Sequence, residues 1–216
     1  MKKALITGAS RGIGRAIAEE LGRDHHIYAG ASKDASDVVA ALPSAEPFEV
    51  DLTDTDAILE AASKIEELDV LVLAAGVLHK GPFEELTDEQ WRESMAVNLL
   101  APVALTRAVL PALRRSSGLI ITINSGAGFH GVADNTAYCA SKFALRGFTE
   151  ALQEEEAGRI RVTSLHPGRT DTDMLAGDDG RPKMDAGEVA KAARLAVDAG
   201  PDAVVEFLRV RPARTS

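Results

Sequence analysis

The sequence predicts an α/β protein: a doubly wound parallel sheet of seven strands with helices on both faces, in three layers. Three observations carry that expectation. Short apolar, β-branched runs alternate with longer stretches whose apolar residues recur at three- and four-residue spacing. The runs at 70–74 and 119–124 are almost wholly apolar, as strands are when helices cover both sides of a sheet. A glycine-rich stretch, Thr7-Gly8-Ala9-Ser10-Arg11-Gly12-Ile13-Gly14, falls where the first strand gives way to the first helix.

Taken in order, strands are expected at 3–7, 26–30, 47–50, 70–74, 119–124, 161–165 and 204–210. Helices are expected at 13–21, 54–65, 88–114, 137–157 and 186–199, with Trp91 anchoring the start of the long one. No repeat, low-complexity tract or linker interrupts the pattern, so residues 1–216 read as one domain. The least regular piece, 168–185, is polar and glycine-containing and reads as a mobile flap over a binding site.

The chain has 216 residues, 45% of them hydrophobic and 26% charged, which is the composition of a globular protein. A net charge of -9 disfavours nucleic acid and anionic membranes as partners and leaves small molecules or other subunits. No segment approaches a membrane span in length, and glycines with Arg11 interrupt the N-terminal apolar piece before a signal-peptide core forms. The single cysteine, Cys139, excludes an internal disulfide and suits a reducing cytoplasm; it reads as a small packed side chain. Five histidines, His25, His26, His79, His130 and His166, show no metal-ligand spacing, so no metal is expected.

The glycine loop has a physical reading. Gly8 allows a tight turn, Gly12 lets a pyrophosphate approach the backbone, and Gly14 lets helix pack closely on strand. The helix N-terminus then offers free N–H groups and a positive dipole end to phosphates. Further along, Tyr138 and Lys142 stand four apart on an expected helix and so share a face. A charge about 4 Å from a phenol, at an effective dielectric of about 20, is worth roughly 4 kcal/mol, enough to bring its pKa toward neutrality. The pair is therefore expected to supply an unusually acidic tyrosine.

These motifs resemble the short-chain dehydrogenase/reductase family, whose glycine pattern is Thr-Gly-x-x-x-Gly-x-Gly, and the resemblance covers almost the whole chain. It implies a Rossmann-like fold and hydride transfer between a nicotinamide dinucleotide and a carbonyl/alcohol pair. By resemblance, Tyr138 is the acid/base and Lys142 binds the nicotinamide ribose. Ser125, thirteen residues before Tyr138, holds the substrate oxygen, and Asn98 supports a water that reconnects Lys142 to solvent. Cofactor contacts are implied at Gly8, Ser10, Arg11, Gly12, Ile13 and Gly14, at Asp51 and Leu52 beside the adenine, and at Ala74, Ala75 and Gly76. They are implied also at Pro167, Gly168, Thr170 and Thr172, in a loop that begins His166-Pro167-Gly168. Alanine at 74 departs from the family's usual Asn-Ala-Gly and is expected to alter stability or cofactor fit.

The second strand is followed by Ala31-Ser32-Lys33, with no acid before Asp34. An acid there would bind the ribose 2′-hydroxyl of NAD. NADP(H) is therefore the expected cofactor, with NAD(H) possible; Ala31 falls at the acid's place, and Arg11 and Ser32 are expected near the 2′-phosphate, Lys33 being a weaker candidate. Phe129 and His130 read either as substrate-facing or as loop packing. A dinucleotide-binding sensor with little catalysis, or an isomerase or epimerase, stands as the alternative function. By resemblance, the helices at 88–114 and 137–157 pair across a homodimer or homotetramer interface.

Overall fold

The computed structural model describes residues 1–177, 180–200 and 202–213. Positions 178 and 179 of the expected flap lie outside the described residues. The strands are β1 (Lys2–Ile6), β2 (His25–Ala31), β3 (Ala45–Glu49), β4 (Val70–Leu73), β5 (Leu119–Ile123), β6 (Arg161–Pro167) and β7 (Phe207–Val210). The helices are α1 (Gly12–Leu21), α2 (Ser36–Ala41), α3 (Thr55–Ala62), α4 (Asp88–Met95), α5 (Ala101–Ser116), α6 (Thr136–Glu155) and α7 (Ala186–Asp198). All seven strands run parallel in the order β3-β2-β1-β4-β5-β6-β7.

Alternate strand residues build two separate cores, because successive side chains point to opposite faces. Ile6, Ile27, Val72 and Ile121 meet Ile17 and Leu21 of α1 and Val189 and Ala193 of α7 on one face. Leu5, Leu71, Leu73 and Ile120 meet Ile58 of α3 and Leu105, Val109 and Leu113 of α5 on the other. The three-layer sandwich expected from the sequence is the observed architecture.

The long expected helix at 88–114 is divided. Between α4 and α5 the residues Ala96–Leu100 form a π-helical turn, in which the Ala101 N–H reaches back to Ala96 O. The combined run Asp88–Ser116 is long and apolar enough to cross a membrane by length and composition, contrary to the sequence expectation. Leu105, Val109 and Leu113 of that run are instead buried against the sheet. Trp91 stands edge-on to Phe83 at 6.4 Å, tying the start of α4 to the preceding loop.

Helix α2 was not expected. It is six residues long with only Val38 buried, too short for a period to show. Residues after Pro167 are anchored rather than free: Asp171 N–H donates to Met184 O and Met184 N–H to Arg169 O, closing the base of the flap around a buried Met184.

Candidate active site

β1 pairs with β2 on one side and β4 on the other, so the crevice at the carboxyl ends of β1 and β4 is the topological switch point, where such sheets bind ligands. Thr7 stitches that crevice together. Its Oγ1 accepts hydrogen bonds from the N–H groups of Ala74 and Ala75 at 3.0 and 3.1 Å. The chain then turns through Gly8 at φ +67°, where a Cβ would lie 2.9 Å from Ala75 Cα. A Cβ on Gly14 would lie 2.2 Å from Gly8 O, so only glycine lets the first turn of α1 sit on the loop. Backbone, not side chain, therefore faces the crevice here, which fits a pyrophosphate against the N-terminus of α1.

A cavity of about 560 Å³ opens over this cradle. Of the residues nominated from sequence, Gly8, Ser10, Arg11, Gly12, Ile13, Gly14, Ala31, Ser32, Asp51, Leu52, Ala74, Ala75, Gly76 and Thr172 line it. At the β2 end, Gly30 and Ala31 bring backbone to the wall, and Asp34 turns away to accept from Ser36 N–H at 2.8 Å. Lys33 does not line the cavity, and Arg11 does. Arg11 lies 3.5 Å from Asp173 across the mouth, an exposed ion pair that water screens. Asp51 Oδ1 is held by the N–H and hydroxyl of Thr53, which lowers its pKa.

Asn98, Ser125, Tyr138 and Lys142 gather beyond Gly76, outside the cavity wall proper. A Cβ on Gly76 would lie 3.2 Å from Asn98 Oδ1 and 3.9 Å from Lys142 Nζ, so that glycine brings the cavity wall next to both groups. Lys142 is buried, and its ammonium donates to Ile123 O at 2.9 Å. Burial pulls its pKa down to about 8. Asn98, in the π turn, spends its side chain on both polar groups of the Val77 backbone and donates to Ser141 Oγ at 2.9 Å. Its amide is thus a brace between α4–α5 and α6. Pro167, Gly168 and Thr170 do not line the cavity: Gly168 N–H donates to Val210 O, and Thr170 pairs with Met184.

The expected acidic phenol is not what the chain's own groups produce. The Tyr138 pKa is raised, chiefly because burial withdraws the hydroxyl from water, while a hydrogen bond to Ser125 opposes the rise. Lys142 Nζ sits 5.7 Å from the ring centroid and directs one of its three N–H groups to Ile123 O, not to the Tyr138 hydroxyl.

Two features carry no signal in the sequence. Thr7 was read only as part of the glycine pattern, although its hydroxyl clamps β4. His79 Nε2 and Glu93 Oε2 meet at 2.8 Å on the cavity wall, from a loop and a helix fourteen residues apart. Of Phe129 and His130, read either as substrate-facing or as loop packing, neither lines the cavity, and Phe129 packs against His166 at 4.5 Å. Among the described residues no group of histidine, cysteine or acidic side chains could hold a metal ion.

The strand order and glycine cradle define a dinucleotide-binding α/β protein. Residues 2–181 match the family described as short chain dehydrogenase, and the chain belongs to that family of oxidoreductases. An uncharacterized oxidoreductase of Staphylococcus saprophyticus is 35% identical, over 98% of this chain and 97% of its own. An alcohol dehydrogenase of the archaeon Thermococcus sibiricus, solved with 5-hydroxy-NADP, is 29% identical and superposes with a TM-score of 0.89, covering 100% of this chain and 99% of that one. A metagenomic short-chain oxidoreductase in complex with NADP is 33% identical with a TM-score of 0.85, over 99% and 98% of the two chains.

Proposed function

We propose that this chain, as one catalytic unit, is an NADP(H)-dependent oxidoreductase that interconverts a ketone or aldehyde with the corresponding alcohol. The observation that carries the reading is the nearness of the glycine cradle to the Tyr138 and Lys142 group. Arg11, Ser32, the cradle and Gly76 line one cavity, and Gly76 lies close to the Lys142 ammonium, which is itself 5.7 Å from the Tyr138 ring centroid. Arg11 and Ser32 would take the 2′-phosphate, a role supported by the missing acid at the end of β2 and by the NADP and NADP analogue bound in similar structures. The bound nicotinamide supplies or accepts the hydride.

Everything else is done by the chain's own groups. The Tyr138 hydroxyl delivers its proton to the substrate oxygen in reduction and recovers it in oxidation. Ser125 holds that oxygen, and Lys142 donates to the ribose hydroxyls. Asn98 acts through Val77 and Ser141 to keep the Lys142 region in register, and a water held nearby would return protons. Leu100 and Phe143 are exposed on the long helical run and α6, which supports pairing of these helices in a homodimer or homotetramer. The compartment we propose is the cytoplasm.

The test is a panel of aldehydes and ketones with NADPH, read by cofactor absorbance. NADPH should exceed NADH in kcat/KM by about tenfold or more, the worth of a charge-assisted phosphate contact. Tyr138→Phe should cut turnover by about 100-fold or more while sparing NADPH binding. Retained turnover in that variant overturns the acid/base assignment.

A further inference from the structure

Ser125 is held by its backbone from two directions. Its N–H donates to Asn124 Oδ1 at 2.8 Å. Its carbonyl accepts from Gly128 N–H, which closes a 3-10 turn, and from His166 Nδ1 at 3.1 Å. His166 belongs to β6, the strand beside β5, and reaches Ser125 O from that neighbouring strand. A carbonyl can only accept, so Nδ1 carries the proton, and Nε2 accepts from the Ser164 hydroxyl at 2.7 Å. Both ring nitrogens are thus committed, and burial, which holds the ring's pKa down to about 4, keeps the imidazole neutral.

The ring itself is locked. It is 1% exposed and lies between Phe129 and Phe207, with centroids at 4.5 and 4.7 Å. Arg146 stacks over Phe129 at 4.3 Å, and Arg209 lies farther over it at 5.9 Å. An aliphatic side chain would fill such a slot without a buried polar group, so the histidine is justified by what it donates to.

We propose that His166 is a positioning residue that fixes the Ser125 peptide, and through it the direction of the Ser125 hydroxyl toward the substrate. This rests on the reading of Ser125 as the group that holds the substrate oxygen. The side chain touches neither substrate nor cofactor. It acts by taking up the slack that a turn of one 3-10 helix leaves at its first residue.

The experiment compares His166→Phe, His166→Asn and His166→Gln, each alone and with Ser125→Ala. Assays use NADPH and the best carbonyl compound of the panel, alongside NADPH affinity and Tm. Asparagine places an N–H where Nδ1 stood, whereas glutamine reaches only the Nε2 position. His166→Phe should lower kcat on the order of 10- to 100-fold, as a misplaced catalytic contact does, with NADPH affinity unchanged. His166→Asn should recover more activity than His166→Gln, and His166→Phe should have no further effect on kcat once Ser125 is alanine. Nitrogen NMR should find the neutral Nδ1–H tautomer at pH 7.

If Ser125→Ala loses activity while His166→Phe keeps it, the positioning role fails and the function stands. Additive losses in the double variant, a glutamine better than asparagine, or an Nε2–H tautomer also overturn it. If Ser125→Ala keeps full kcat, the reading of Ser125 fails first. Should His166→Phe not fold, the asparagine–glutamine ranking and the tautomer decide.

Discussion

A lysine acidifies a nearby phenol strongly only when its charge stands close to the hydroxyl, and here the ammonium is hydrogen-bonded to Ile123 O, 5.7 Å from the ring centroid. Burial then dominates at both residues: it pushes Tyr138 up and Lys142 down to about 8. A phenol held neutral stays in its proton-donating form through neutrality, though as a weaker acid, and serves as a base only once it has ionised. Reduction is therefore expected to be flat with pH through neutrality, and alcohol oxidation to climb as pH rises toward the Tyr138 pKa. Paired pH profiles of the two directions check this; oxidation that is already maximal at pH 7 contradicts it. For Lys142, the protonated ammonium is the form that can donate to two hydroxyls. NADPH affinity should accordingly weaken as pH rises through about 8, and Lys142→Met should remove that slope. Fluorescence titration of NADPH at pH 7 and pH 9 reads it directly, and equal slopes in the two proteins would exclude Lys142 as the titrating group.

Between elements, the important join is that of β1 with β4. A valine at position 7 keeps the shape of threonine and deletes the acceptor for Ala74 and Ala75 N–H, leaving two backbone donors without a partner. Thr7→Val should cost about 2 to 4 kcal/mol in chemical denaturation, while Thr7→Ser, which keeps the oxygen, should cost under about 1 kcal/mol. Equal losses would mean that the methyl packing, not the hydroxyl, holds the strands. The strands and most of the helices were legible because alternation and three-to-four spacing are local properties of the chain. The glycine loop was legible for a similar reason, since Gly8 and Gly14 each answer a contact that any Cβ would violate. What escaped was nonlocal or subperiodic. The π turn depends on one five-residue backbone bond inside a run that reads as continuous helix. The His79–Glu93 pair, the clasp of His166 on Ser125 O and the bond from Lys142 to Ile123 O join residues whose separation carries no pattern.

For the molecule as a whole, the buried histidine sets where acid begins to weaken the fold. Burial, the foremost cause, with Arg146, Lys142 and Arg209 nearby, holds the His166 pKa down to about 4 from 6.5. In the unfolded chain the ring takes its proton near 6.5, whereas in the folded protein it resists until about 4. The unfolded state therefore binds more protons throughout that window, and stability must fall as pH drops through it, by at most about 3 kcal/mol. Carboxylates act lower. Asp24, bound by Arg194 and held at about 2, contributes stability above pH 3.8 that fades only as pH falls toward 2. It is more than half exposed, so its share is small. Denaturation at pH 7, 6 and 5 should thus show a loss beginning well above the carboxylate range. His166→Phe, compared with its own stability at pH 7, should lose less over the same interval because it has no ring to protonate on unfolding. An unchanged slope in that variant would mean that His166 is not the group through which mild acid acts, and would leave the locked neutral imidazole without its expected signature in solution.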